Sequence, residues 1–398
     1  MKIAVLLLAC ALPLQAEDWL QYRGPRQDGS TPEKLAVFPK DGPKELWRVK
    51  VGTGVSSVTC ADGRVYTAGY RNGESLVCLD AANGKTLWTH SWPAKLGDYL
   101  FSGGPRATPT VDGERVYMVG ADGHVACVEA SNGKPVWEKD LVRDFGGKRM
   151  DWGYAGSPTV DGNHLLLDCG GKGASTIALN KKTGALVWKS GDDEAGYSTV
   201  LLADIEGRKT AVSFKAGALV GYDAGTGAPL WRQDWDTSWK VNAMTPLQIG
   251  DTLVISSGYN HGATAIRVKG GQPQQVWFSK KLMTHFNTPV HRGGYIYGID
   301  GEVSKRSALV CLNAATGDEK WREKSVKNGS LILAGDKLLI LNEEGWLIEA
   351  EASPEGYKEL GRKQVLEDRC WVQPVLANGR IFCRNNLGEL VALDATGK

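Results

Sequence analysis

One ten-residue stretch constrains this chain more than any other feature. Leu79-Asp80-Ala81-Ala82-Asn83-Gly84-Lys85-Thr86-Leu87-Trp88 returns as Val128-Glu129-Ala130-Ser131-Asn132-Gly133-Lys134-Pro135-Val136-Trp137. Further copies end at Trp188, Trp231 and Trp321. Each reads as an apolar strand, an acidic or amide residue, a turn whose Gly takes positive φ, and a short returning strand that carries a large aromatic. A lone hairpin of this kind is only marginally stable and leaves its Trp uncovered. The copies must therefore pack on one another.

The Trp residues at this position are Trp47, Trp88, Trp137, Trp188, Trp231, Trp277 and Trp321, and they recur every 40 to 50 residues or so. About four short strands fit in each interval. That spacing predicts an all-β, eight-bladed β-propeller of four-stranded antiparallel blades. A β-sandwich also repeats hairpins, but has no reason to set one Trp at the same strand position in copy after copy. The abundance of Gly, 50 of 398 residues, suits a chain with many tight turns.

Aligning the copies gives six regular repeats between Val58 and Trp321. The seventh is degenerate: Pro354-Glu355-Gly356 makes its turn, and Leu360 holds the Trp position. The eighth stops at Thr396-Gly397-Lys398, one strand early. The missing strand lies at the other end, where Lys44-Glu45-Leu46-Trp47 repeats the spacing of Lys85 to Trp88. Residues 44 to 50 are thus expected to close the ring by completing the eighth sheet, which removes the open edges of a linear array. Seven blades is the alternative if the seventh repeat is not a blade.

Residues 1–16 read as a signal peptide: Lys2, an apolar run from Ile3 to Leu12, and Leu14-Gln15-Ala16 before Glu17. The run is too short for a transmembrane segment. An exported bacterial protein, periplasmic or extracellular, is expected. Leu7-Leu8-Ala9-Cys10 also resembles a lipoprotein box, which would place a lipid anchor on Cys10. Residues 17–43 form an arm on the body of the molecule, with Trp19, Tyr22 and Phe38 placed to pin it. Residues 44–398 form the propeller. The net charge of +2 and the absence of basic runs argue against a nucleic-acid partner.

Beyond Cys10, seven cysteines at irregular spacing make no disulfide framework. Cys78, Cys127 and Cys311 share a repeat position with Ala178, Gly221 and Ala392, which marks a small buried slot. No Cys-x-x-Cys and no Cys/His ligand spacing appears, and the six His residues are scattered, so no metal ligand is assigned. Asp192-Asp193-Glu194 is a carboxylate cluster with the composition for Ca²⁺ or acid/base chemistry; its plain reading is an exposed acidic turn.

The repeat resembles the PQQ-type propeller repeat, whose Ala/Leu-x-Asp-x-x-Thr-Gly-Lys-x-x-Trp pattern is met by Lys182-Thr183-Gly184 to Trp188 and by Asp223-Ala224-Gly225-Thr226-Gly227 to Trp231. The opening Trp19-Leu20-Gln21-Tyr22-Arg23-Gly24-Pro25 is similar to that of many exported PQQ-binding-like repeat proteins. The resemblance implies one of two functions. Non-enzymatic periplasmic propellers such as BamB bind or scaffold other proteins. Quinoprotein alcohol dehydrogenases hold PQQ and Ca²⁺, with an acidic base and usually an adjacent Cys-Cys disulfide. This chain has no adjacent cysteines, so a non-catalytic binding module without a cofactor is the expectation, and PQQ with Ca²⁺ is the alternative.

In a propeller the segments that lead into the innermost strands surround one mouth of the central channel. Here they carry Arg106, Tyr154, Tyr197, Asn242, His285, Asn287, Asn328, Trp371 and Gln373. This mixture is a candidate surface for a protein or small-molecule ligand. The two longest connections, Trp88 to Pro109 and Trp137 to Pro158, add Trp92, Tyr99, Phe101, Arg143, Phe145, Lys148, Arg149 and Trp152 to the candidate face.

Overall fold

The computed structural model describes residues 16–97, 101–302 and 307–397. Residues 1–15, with the predicted signal peptide and Cys10, and Tyr99 lie outside the described residues. Among the described residues the strands form eight sheets arranged as an eight-bladed propeller. Blade 1 runs outward from the channel through Thr59–Ala61, Arg64–Tyr70, Glu74–Asp80 and Thr86–Trp92. Blade 2 does so through Thr110–Asp112, Arg115–Val119, His124–Glu129 and Pro135–Asp140. Blades 3 to 7 follow over 159–190, 201–234, 247–279, 290–323 and 329–364. Blade 8 takes three strands from 375–394, and its outermost strand is Glu45–Lys50, antiparallel to Glu389–Asp394. The N-terminal strand closes the ring, and the degenerate seventh repeat is a full blade.

The repeated Trp is the seam between blades. Each indole is buried or nearly so, and its Nε1–H donates to a turn carbonyl of the following blade. Trp47 donates to Ala81 at 3.0 Å, Trp88 to Ala130 at 3.0 Å, Trp137 to Lys181 at 3.0 Å and Trp188 to Ala224 at 3.2 Å. Trp277 and Trp321 repeat the bond to Ala314 and Ser353. Trp231 is the exception: its Nε1 has no partner among the described residues. The next blade departs from the common turn there: its ladder runs on to Lys269–Gln272 around Gly270-Gly271, whereas that of blade 1 ends at Leu79–Thr86.

The turn Gly serves the seam as well as the turn. Gly133 has φ +73°, and a Cβ there would lie 2.5 Å from the Trp88 ring. Gly227 meets Trp188 in the same way at 2.5 Å. Within each blade the Trp pairs with a small residue: Cys78 with Trp88, Cys127 with Trp137, Ala178 with Trp188, Gly221 with Trp231, Cys311 with Trp321 and Ala392 with Trp47. A bulky residue at that slot would lift the indole off its neighbour. The seven described cysteines are free and buried. Burial pushes the Cys78 and Cys127 thiols up to about 12, so they pack rather than react.

The arm does more than lie on the body. It crosses the channel and is bonded to blade after blade. Trp19 exchanges backbone hydrogen bonds with Cys60 of blade 1, and Leu20 accepts from Val111 of blade 2. Gln27 donates to Thr159 Oγ1 of blade 3 and to the Val200 carbonyl leading into blade 4. Ser30–Thr31 adds a fifth, parallel strand beside Gly329–Ala334 of blade 7. Glu33 accepts from Asn378 N and Gly379 N of blade 8. These partners are scattered through the chain, so no local pattern in residues 17–43 reveals the path.

Candidate ligand cup at the channel mouth

Because strands alternate direction, the lead-in segments of all eight innermost strands emerge on one face of the ring. There they enclose a cavity of roughly 190 Å³. Its lining includes Phe101, Arg106, Trp152, Tyr197, Tyr259, His285, Phe286, Trp371 and Gln373. Tyr22, carried by the arm, also lines it, so the cup sits over a channel that the arm crosses.

The rings form a continuous arc. Trp152 meets Phe101 edge-on at 5.4 Å, Phe101 meets Trp371 at 5.4 Å, and Trp371 meets Phe286 at 4.8 Å. Phe286 meets His285 at 5.0 Å, and His285 stands at 89° to Tyr259 at 5.1 Å. Separations of this size with tilted planes are favourable between aromatic quadrupoles. Polar contacts hold the arc in place: Trp371 Nε1 donates to Glu343 Oε1 at 3.0 Å, and Tyr259 Oη and His285 Nε2 are 2.9 Å apart. Arg106 Nε donates to the Trp152 carbonyl at 2.7 Å. The Arg369 guanidinium lies 4.9 Å from the Trp371 ring and 5.9 Å from the Phe101 ring.

The polar groups of the cup are hydroxyls, amides, a His and an Arg; no carboxylate is among its described lining residues. Burial raises the Tyr197 phenol to about 12. The Gln373 Nε2 is buried and has no partner among the described residues, which leaves a donor at the cup wall.

Of the candidates named from sequence, Phe101, Arg106, Trp152, Tyr197, His285, Trp371 and Gln373 come together in this cup. The other described candidates do not line it. Tyr154 is buried beside it and donates its hydroxyl to Cys169 O. Asn242 is fully buried and ties Lys215, Ala216 and Trp235 carbonyls together. Asn328 is buried and donates to Glu343. Asn287 is buried, and neither of its amide atoms has a partner among the described residues. Arg149 pairs with Asp122 at 2.8 Å on the surface, and Arg143 with the neighbouring Asp144 at the one-turn helix Leu141–Phe145.

The acidic run is dispersed over four separate partners. Asp192 accepts from Gly173 N, Asp193 pairs with Arg232, and Glu194 sits between Lys148 and Lys240. Asp193 and Glu194 are committed to cations of the fold and Asp192 to a backbone N–H, so the three do not act as one cluster.

Sequence reasoning missed Tyr22, Tyr259 and Phe286. Phe286 lies between two residues that were named, and its signal was the same lead-in position. Tyr259 sits in the hairpin between the second and third strands of blade 5, which opens on the same face. Tyr22 reaches the cup only because the arm crosses the channel.

The fold and its seams define a propeller built of PQQ-like repeats. Residues 29–96 and 72–323 match the family described as outer membrane protein assembly factor BamB, and the chain belongs to that family. No curated protein matches it in sequence. Among solved structures it resembles BamB from Moraxella catarrhalis at 14% identity and a TM-score of 0.64, covering 88% of this chain and 97% of that one. It also resembles a europium-containing methanol dehydrogenase at 12% identity and a TM-score of 0.65, over 95% of this chain and 89% of that one. The quinohemoprotein alcohol dehydrogenase ADHIIG from Pseudomonas putida HK5 follows at 13% identity and 0.63, over 96% and 80%. At such identities the likeness is one of fold.

Proposed function

We propose that this chain is a non-catalytic binding or scaffolding propeller of the bacterial envelope, and that its aromatic cup receives an apolar or ring-shaped group of a partner. The observation that carries this reading is the lining: an arc of six rings with hydroxyl, amide and cationic groups and no carboxylate among the described residues. Aromatic rings with Arg dominate protein interface energies. An apolar cavity of about 150 Å³ holds one benzene. The cup, at roughly 190 Å³, suits one ring or one large side chain.

The rival reading is a quinone-dependent dehydrogenase. The donor set does not fit it. Ca²⁺ takes six to eight oxygens, usually with carboxylates to balance its charge. The described lining residues offer neutral oxygens only, and no two cysteines of the chain are adjacent. A three-ring quinone is also larger than the single-ring space.

The two readings separate on reconstitution. Purified protein is incubated with PQQ and Ca²⁺, gel-filtered, and examined for quinone absorbance and for dye-linked alcohol oxidation. The binding reading expects neither. One quinone retained per chain, with alcohol-dependent dye reduction, would overturn it.

A further inference from the structure

Away from the cup, the seam between blades 1 and 2 brings together His90, His124 and Glu138, and one donor atom from each lies within 4.8 Å of the other two. Strand alternation explains the convergence. His90 stands two residues after Trp88 and one pleat before Trp92, so it shares their face toward blade 2. Glu138 follows Trp137, so it faces the opposite way, back toward blade 1. His124 pairs with Asp140 and lies on the same sheet face as Glu138. Two neighbouring blades thus aim three ligand side chains into one seam, on the face of the ring that also carries the cup.

We propose that His90, His124 and Glu138 form a binding site for a divalent transition-metal ion of the zinc type, joining blade 1 to blade 2. Two imidazoles with one carboxylate suit Zn²⁺ and related ions better than Ca²⁺ or Mg²⁺, which take oxygen ligands. Three protein ligands leave a fourth, solvent-facing position open. Tetrahedral bonds of about 2.0–2.1 Å put donor atoms a little over 3 Å apart. Glu138 Oε1 is already 2.9 Å from His90 Nε2 and 3.4 Å from His124 Nε2.

The surroundings are built to hold this geometry. The His124 ring stacks on Trp92 at 4.9 Å and 23°, and Trp92 Nε1 donates to the buried Glu74. The stacking holds the plane of the His124 ring. His124 Nε2 is buried, and its 3.4 Å approach to Glu138 Oε1 falls short of a well-formed hydrogen bond. Asp140, the other carboxylate on this face, is already used as the N-cap of Leu141–Phe145 and does not compete. The three residues, at 90, 124 and 138, form no ligand motif in the sequence.

Calorimetric titration of the full chain, stripped with chelator, with Zn²⁺ tests the proposal. One saturable site is expected. Even loss of a group that merely orients a ligand costs about 10–100-fold in metal affinity. His90→Ala/His124→Ala should therefore weaken Zn²⁺ binding by well over tenfold, and the nearly isosteric Glu138→Gln should weaken it too. Zn²⁺ should also raise the melting temperature of the wild type and leave that of the double variant unmoved. No saturable binding by the wild type, or equal affinity in the wild type and both variants, would overturn the site.

Discussion

The Arg23 guanidinium donates to the Pro289 carbonyl at 2.6 Å, across 266 residues of sequence. It also donates to Thr288 O at 3.0 Å and to Asp28 O at 2.6 Å. A cation that is 1% exposed thus knots the arm to the lead-in of blade 6. Burial lowers its pKa to about 10, which leaves it charged at neutral pH. Arg23→Met should leave three carbonyls short of a donor and cost roughly 3 kcal/mol. Arg26→Ala, three residues on, removes a solvent-facing ion pair with Glu17 and an exposed hydrogen bond to Ser30 O, and should cost at most about 1 kcal/mol. Denaturant unfolding of the two variants measures the gap, and equal losses would mean the arm is not anchored through Arg23.

The seam predicts a contrast between two glycines of blade 2. Gly113 has φ +56° and open space where a Cβ would sit, whereas Gly133 has φ +73° and the Trp88 ring at 2.5 Å. Gly113→Ala should cost about 1–2 kcal/mol for the left-handed backbone alone. Gly133→Ala adds overpacking of about 1–3 kcal/mol. Thermal unfolding should rank them in that order; the reverse order would mean that the indole does not rest on the turn.

Trp188 is buried and bonded to Ala224, while Trp231 is buried without a partner for Nε1. Trp188→Ala should destabilise by roughly 3–5 kcal/mol, the range for buried large aromatics. Trp→Phe keeps most of the packing and loses the indole N–H. It should therefore cost more at 188 than at 231, by about 1 kcal/mol. Equal costs would assign the seam to packing alone.

Glu74 gives the molecule a pH dependence. It is 1% exposed, and burial raises its carboxyl to about 7, against the lowering effect of the Ala121 N–H, the Trp92 indole and Arg149 and with the raising effect of Asp122. Between about pH 4.5 and 7 the folded chain holds this proton and the unfolded chain does not. Stability from this group is therefore present at low pH and lost as pH rises through that window, by on the order of 3 kcal/mol. Glu74→Gln cannot ionise. The melting-temperature difference between Glu74→Gln and wild type should grow in favour of the variant from pH 5 to pH 8. A difference that is constant across that range would contradict the assignment.

The ring itself was legible in the sequence because every blade reuses one local solution: strand, Gly turn, Trp. Leu360 was misplaced: the bulge leaves it unpaired, as it leaves Leu87 beside Trp88, and Gly361, paired with Glu349, stands at the Trp position with Phe38 of the arm packed over it. The strand Glu45–Lys50 was legible for the same reason as the ring. The channel-crossing course of the arm was not, because its partners Cys60, Thr159, Thr288 and Gly379 are set by topology rather than by neighbours in sequence. The cup was legible in outline, since lead-in segments must share a face. Tyr154 and Asn242 occupy such segments yet turn into the seam to satisfy backbone carbonyls. Residue type alone cannot separate these two uses of a polar group.

Whether the cup binds a partner through its rings is tested by capture from envelope extract with the wild type and with Trp152→Ala/Phe286→Ala, which removes rings from two parts of the arc. The wild type should retain a specific partner, and the double variant should lose it while melting within a few degrees of the wild type. Retention of the same partner by the double variant, at the same yield, would contradict binding through the rings.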